Sequence, residues 1–137
     1  MSESSNVGES SEVMTFEQAV EQLSYHCGSN PNINDRRWEE GFLQTLRPYA
    51  GLRKDVYEYL VECLAAVEEH LKRAPQLDRR VINSLWAICH YARAWGLDPG
   101  GMLRRNDLIS DRDQAQLTEW IDGIAEKVAF WLDGMDA

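Results

Sequence analysis

Residues 54–75 read KDVYEYLVECLAAVEEHLKRAP. Val56, Leu60, Cys63, Val67 and Leu71 recur at steps of four, three, four and four. In a helix of about 3.6 residues per turn that spacing puts all five on one side. Glu68 precedes Lys72 and Glu69 precedes Arg73 by four residues, the favourable order for a charge pair on a helix. Lys72 and Arg73 also suit the negative end of the helix dipole. Pro75 closes the segment, because proline steers the residue before it away from α geometry. The stretch is an amphipathic helix, and its apolar seam requires neighbours.

Those neighbours read as helices too. Upstream, TFEQ at 15–18 has the form of a capping box. Phe16, Val20 and Leu23 follow at helical spacing, and Gly28 is a stop. A second helix is expected from Asn34 or Asp35 to Arg47, with Trp38, Phe42 and Leu46 as its stripe and Leu43 widening it. Pro48 and Gly51 punctuate its end. Downstream, the fourth helix runs from near Asp78 to Gly96. Val81, Leu85, Ile88, Ala92 and Trp95 form one stripe, and Ile82, Trp86 and Cys89 form a second beside it. Two adjacent stripes predict a central helix, with Leu85 and Trp86 both in the core. Ser110 begins SDRD, a cap with acids at the positive helix end. Leu117, Trp120, Ile121, Ile124, Val128 and Trp131 then carry a last stripe to Gly134.

No segment alternates like a strand. The expected fold is therefore all-α, a single-domain bundle of about five helices over 15–137, with a long loop before the last helix. Residues 1–14 are mostly Ser, Glu, Asn and Gly and are expected to form a disordered acidic tail.

The 137 residues carry a net charge of −9. Six acids and no Lys or Arg fall in residues 1–35, leaving seventeen acids against fourteen bases in 36–137. Such a balance disfavours nucleic acid and anionic membranes as partners and suits a basic protein surface. Arginine dominates the bases, consistent with a GC-rich coding sequence. No basic start with an apolar run opens the chain, and no stretch approaches a membrane span. With three cysteines, Cys27, Cys63 and Cys89, the expectation is a reduced cytoplasmic protein with buried free thiols.

Chemistry finds little support. His26-Cys27 and Cys89-His90 are sequence neighbours whose helical side chains diverge, and no Cys-x2-4-Cys or His-x3-5-His spacing for zinc exists. Glu68-Glu69-His70 lacks the Glu-x-x-His spacing of a di-iron bundle. Gly100-Gly101 lacks the lysine of a phosphate loop, and no nucleophile elbow is present. No catalytic residue, metal or cofactor is expected.

Two surface features remain as candidate partner-binding sites. Asp55, Glu58, Glu62 and Glu69 make an acidic stripe on the third helix that could plug a basic cleft. The thirteen residues 97–109 exceed the roughly two to eight usual between bundle helices. Within them Asp98 begins a turn, Leu103 and Leu108 are expected to return to the core, and Met102, Arg104 and Arg105 are candidate contacts. A short extra turn near Met102–Arg105 fits the spacing.

The segment SLWAICHYARAWGLDPGGMLRRNDLIS (84–110), followed by LTEWIDGIAEKVAFWLDG (117–134), resembles small bacterial immunity proteins encoded beside secreted or contact-delivered toxins. The shared traits are an acidic helical domain, tryptophans on helix stripes, and a Gly-rich loop closing on a capped last helix. The resemblance implies a cytoplasmic, non-enzymatic protein that binds a cognate toxin's catalytic domain and blocks its active site or substrate entry. Two other readings stand beside it. One is a helical regulatory or adaptor domain that forms a homodimer through tryptophan-rich faces. The other is a helical enzyme or small-anion binder using His90, Arg93 and Arg104 between the fourth and fifth helices.

Overall fold

Helix α1 (Phe16–His26) begins where its capping box lies. The Thr15 hydroxyl accepts the Gln18 N–H at 3.1 Å, and the Gln18 side chain accepts the Thr15 N–H at 2.9 Å. The computed structural model describes residues 13–135. The tail expected over 1–14 lies almost wholly outside the described residues; Met14, at its end, packs against the core.

Gly28, at φ +77°, ends α1 in a Schellman motif: the Ser29 N–H donates to the Ser24 carbonyl at 2.9 Å and the Gly28 N–H to that of Tyr25 at 3.2 Å. Helix α2 follows but is one turn only, Arg36–Glu39. The expected helix to Arg47 is not formed. Gly41 instead passes so close to α1 that a Cβ built on it would lie 2.1 Å from the Tyr25 carbonyl oxygen. The Phe42 N–H donates to His26 Nδ1 at 3.1 Å, and Gln44 Nε2 donates to the Tyr25 carbonyl at 2.8 Å. The unpaired groups at the end of α1 draw this segment in, and only a 3-10 turn, Leu43–Thr45, survives beyond the break. The apolar half of the expected stripe still reaches the core, with Phe42, Leu43 and Leu46 buried and Trp38 half-buried.

Helix α3 (Lys54–Arg73) is the seam helix. Val56, Leu60, Cys63, Val67 and Leu71 are all buried as its spacing requires, with Leu64 beside them. Glu68 and Lys72 meet at 3.2 Å, and Glu69 and Arg73 at 2.7 Å. Helix α4 (Arg79–Ala92) is capped by Asp78, whose carboxylate accepts the Arg80 N–H at 2.9 Å. The helix does not run as an α-helix to Gly96. It widens into a π turn over Arg93–Leu97. Gly96 is buried rather than a left-handed cap: a Cβ there would lie 2.7 Å from Leu117, so the glycine lets the π turn sit against the last helix.

The expected long loop is likewise structured. Asp98 accepts the Gly100 N–H at 2.9 Å, and helix α5 (Met102–Arg105) forms the extra turn. Asp107, at φ 58°, stands at the left-handed position of a second Schellman motif, in which the Leu108 N–H donates to the Leu103 carbonyl at 2.8 Å. That reversal points Leu108 outward, at 54% exposure, and buries Ile109 in its place. Leu103 is in the core as expected. Helix α6 (Asp111–Leu132) starts at Ser110, whose hydroxyl accepts the Asp113 N–H at 3.1 Å.

Four long helices make the bundle. α1 packs on α3 and α4, and α6 packs on the same two, so the four close in the order α1, α3, α6, α4. The core lies inside this ring: Leu23 from α1, Leu60 and Val67 from α3, Val81 and Ile88 from α4, and Leu117 and Ile121 from α6. No strand occurs among the described residues. The fold is all-α.

Two outcomes follow from the α1 junction. Gly41→Ala forces the Tyr25 carbonyl aside, and chemical denaturation should show a loss of about 1–3 kcal/mol, the usual cost of overpacking. His26 is buried, and burial lowers its pKa from 6.5 to about 4. As pH falls, the unfolded chain takes up this proton before the folded one does. The neutral form's contribution is therefore complete above about pH 6.5 and is lost toward pH 4, by about 3 kcal/mol at roughly 1.4 kcal/mol per pKa unit. Denaturation midpoints measured across that window should fall. His26→Gln keeps an acceptor for Phe42 without titrating, and should flatten the slope.

Candidate functional site

The acidic stripe on α3 exists, and bases stand at both of its ends. Asp55 is bound by Arg53 at 2.8 Å, Glu58 lies 3.8 Å from Lys54, and Glu69 meets Lys72 at 3.5 Å and Arg73 at 2.7 Å. Glu62 is exposed between them. Asp55 and Glu69 both have lowered pKa values through their basic partners. The stripe is thus an acidic row closed by basic residues at both ends.

The residues expected around 97–109 serve the turn itself. Asp98 closes the turn, and Met102 is half-buried against the core. Arg104 Nη1 donates to the Leu97 carbonyl at 3.0 Å, and Arg105 is exposed. His90, Arg93 and Arg104 each have separate engagements: His90 stacks on Trp86, Arg93 binds Asp122 at 2.7 Å, and Arg104 holds the π turn. Among the described residues no three His, Cys, Asp or Glu side chains group as a metal site. The cysteines are free; Cys63 is buried, whereas Cys27 and Cys89 are half-buried.

The feature that stands out is on α4. Trp86, expected in the core, is 60% exposed. The second stripe, Ile82, Trp86 and Cys89, has no helix over it. It forms one wall of an open apolar groove of about 290 Å3, and Ala125, Val128 and Leu132 of α6 form the other. No charged side chain lines this groove. From Trp86 an aromatic ladder continues along α4. The His90 ring stacks on Trp86 at 4.4 Å and 12°. Tyr91 meets both edge-on, and Trp95 lies 5.2 Å beyond Tyr91 under the Arg47 guanidinium. Tyr91 and Leu132 are exposed too. The π turn that follows α4 carries Trp95 out to the side of the ladder, and π turns often occur where a helix is adapted to a task.

Sequence reasoning missed Trp86 as a surface residue because apolarity alone does not say which stripe a neighbour covers. A signal was present. Arg79, Asn83, Trp86, His90 and Arg93 follow each other at steps of four, three, four and three, and all five are exposed. Trp86 is the apolar member of an otherwise polar line.

Chemically, the groove can take an apolar side chain and can stack a planar group on Trp86; the one reactive group among its lining residues is the Cys89 thiol, whose pKa burial raises. Large aromatic residues on rigid helices are the usual anchors of protein interfaces. Comparison with models of protein families, with curated proteins and with solved structures gives no match.

Because Trp86 spans the surface rather than the core, Trp86→Ala should change the denaturation free energy by less than about 1 kcal/mol, in the range of surface substitutions. Leu85→Ala, one residue away but 4% exposed, should cost about 2–5 kcal/mol. Equal losses for the two would mean that Trp86 is buried in solution.

Proposed function

We propose that this chain is a non-enzymatic binding protein that takes one protein partner on the α4–α6 groove. The partner presents an apolar or aromatic side chain to the groove and stacks against Trp86. The observation that carries this reading is the exposed Trp86 beside an uncharged apolar cleft on two well-buttressed helices. Exposed apolar patches of this kind mark interaction surfaces, and anchoring tryptophans dominate their energetics.

The finer reading is an immunity-type inhibitor. In it the partner is a toxin's catalytic domain, met in the cytoplasm, and docking on α4 and α6 covers the toxin's active site or its substrate entry. The support is the resemblance of 84–134, which contains the aromatic ladder and all of the groove but Ile82, together with the net negative charge. Charge of that sign attracts a basic nuclease-like or nucleotide-binding surface from a distance, while the groove supplies the affinity. Glu62, the stripe residue with no ion pair among the described residues, contributes to steering rather than to anchoring.

The test is binding to the stoichiometric partner recovered with the tagged chain from its native host. Trp86→Ala should weaken the complex by at least tenfold, and Glu62→Ala should alter chiefly the association rate and its salt dependence. Protection of cells against that partner's activity should be lost with Trp86→Ala. A chain that stays monomeric alone, binds a partner and is indifferent to Trp86→Ala would overturn the groove as the contact. A chain that forms dimers in light scattering, dispersed by Trp86→Asp, would instead assign the groove to a second copy.

A further inference from the structure

A second cavity lies at the other end of the molecule's chemistry and shares no residue with the groove. It is a cleft of about 260 Å3 where the end of α1, the segment after α2 and the start of α3 meet. His26, 2% exposed, is one of its lining residues. Its Nδ1 accepts the Phe42 N–H, so in the neutral ring the proton resides on Nε2. That Nε2 is buried and has no hydrogen-bond partner among the described residues. Buried donors are rarely left unpaired, and each exception calls for an explanation.

Two guanidinium groups line the same cleft, and both are held in place. Arg37 is fixed by Asp35 through Nε at 3.0 Å and Nη2 at 2.9 Å, and it lies 4.6 Å over the Tyr25 ring. Arg53 is fixed by Asp55 through Nε at 3.0 Å and Nη2 at 2.8 Å. Glu40 and Asp55 also line the cleft. The wall therefore carries two guanidinium groups and the carboxylates of Glu40 and Asp55 beside the neutral imidazole, and Arg37 is paired further with Asp35 and, at 3.5 Å, with Glu21.

We propose that this cleft binds a single carboxylate group, with His26 Nε2–H donating to one oxygen and Arg53 pairing with the other. A cleft of this size holds a small acid or the last residue of a chain, below the usual range of roughly 300–1,000 Å3 for larger ligands. With Glu40 and Asp55 in the wall, a second negative charge on the ligand meets a carboxylate, which favours a monoanion over a phosphate dianion. Arginine in fixed orientation is suited to planar carboxylate recognition. The carboxylate has two possible sources, a free small acid or a protein C-terminus, and both present the same group.

The experiment is an NMR titration of the full-length 15N-labelled chain at about pH 8, where inorganic phosphate is mostly the dianion, and at constant ionic strength, following the Phe42 amide and the His26 imidazole nitrogens. The probes are acetate for the free acid, N-acetylglycine for the chain end, N-acetylglycinamide as the uncharged control, and inorganic phosphate. The expected result is a saturable shift at both residues with one or both carboxylates, with a Kd in the millimolar range, and none with the amide or with phosphate. Tighter binding of N-acetylglycine than of acetate would assign the source as a chain end; the reverse would assign a free acid. Arg53→Gln, an exposed substitution that leaves the core intact, should weaken binding roughly tenfold, the equivalent of losing one charged hydrogen bond. Absence of a saturable shift with either carboxylate, an equal response to phosphate, or unchanged binding in Arg53→Gln would each overturn the proposal. None of these outcomes bears on Trp86, so the two surfaces fail or stand separately.

Discussion

The hydrogen bond from the Phe42 backbone to His26 Nδ1 is the constraint around which this end of the bundle is arranged. A helix C-terminus leaves carbonyls unpaired, and a buried backbone N–H must find an acceptor. The chain answers both needs at one place. Gly28 and Ser29 satisfy the Tyr25 and Ser24 carbonyls, Gln44 returns to Tyr25, and Phe42 donates to the imidazole. The interaction requires an unprotonated Nδ1, and burial supplies that state by holding the His26 pKa near 4. It also requires Gly41, since any Cβ would strike the Tyr25 carbonyl. The cost is a broken second helix. The gain is that Phe42, Leu43 and Leu46 reach the core from a segment too short to be a full helix.

A second constraint is one of supply. α3 gives Val56, Leu60, Cys63, Leu64, Val67 and Leu71 to the core, but α4 has more apolar side chains than its two main partners cover. Val81, Leu85, Ile88 and Ala92 face inward and are buried. Ile82 and Cys89 are left half-covered and Trp86 is left out. A protein that needed only to fold would gain from a polar residue at 86, because an exposed tryptophan adds association risk without core contacts. Its retention on a rigid helix, supported by His90 stacking and backed by Tyr91, is the physical argument for a partner. The stack limits the rotamers of Trp86, and a side chain that is already ordered loses less entropy on binding.

Much of this fold was legible in the sequence where local chemistry decides. The capping box at Thr15, the caps Asp78 and Ser110, the stop at Gly28 and the seam of α3 all depend on residues a few positions apart, and each is where its pattern placed it. The failures share the opposite property. The break after α2 depends on the approach of Gly41 to Tyr25, sixteen residues away in sequence. Gly96 is buried because Leu117 lies against it, not because a helix ends there. Leu108 turns outward because Asp107 takes a left-handed conformation that aspartate tolerates but does not announce. Trp86 was misassigned because periodicity reports which residues share a face, not which face has a neighbour. For the candidate site the consequence is direct: Leu85 is buried and Ile82, Cys89 and Val128 pack against the core as read, while Trp86 between them was recognised as apolar and assigned to the wrong environment. The acidic stripe was recognised, and the bases paired with it were read as features of the helix rather than of its surface.

Those pairings redistribute the burden of recognition between charge and contact. Arg53, Lys54, Lys72 and Arg73 sit at the two ends of the stripe, so its field at short range is that of paired charges, and exposed pairs of this kind are worth little individually. The net charge still acts at distances comparable to the screening length, about 8 Å at physiological salt, where it sets which partners approach. It cannot by itself hold one. Holding requires surface that gains by leaving water, and about 25 cal/mol per Å2 of apolar area applies only where such area is exposed beforehand. On this molecule the α4–α6 groove meets that condition with Trp86 at its rim. In the proposed complex the acids would serve encounter and the groove affinity, and the two lie on different helices. Changing one should leave the other's contribution intact, as expected of sites that share no contacts.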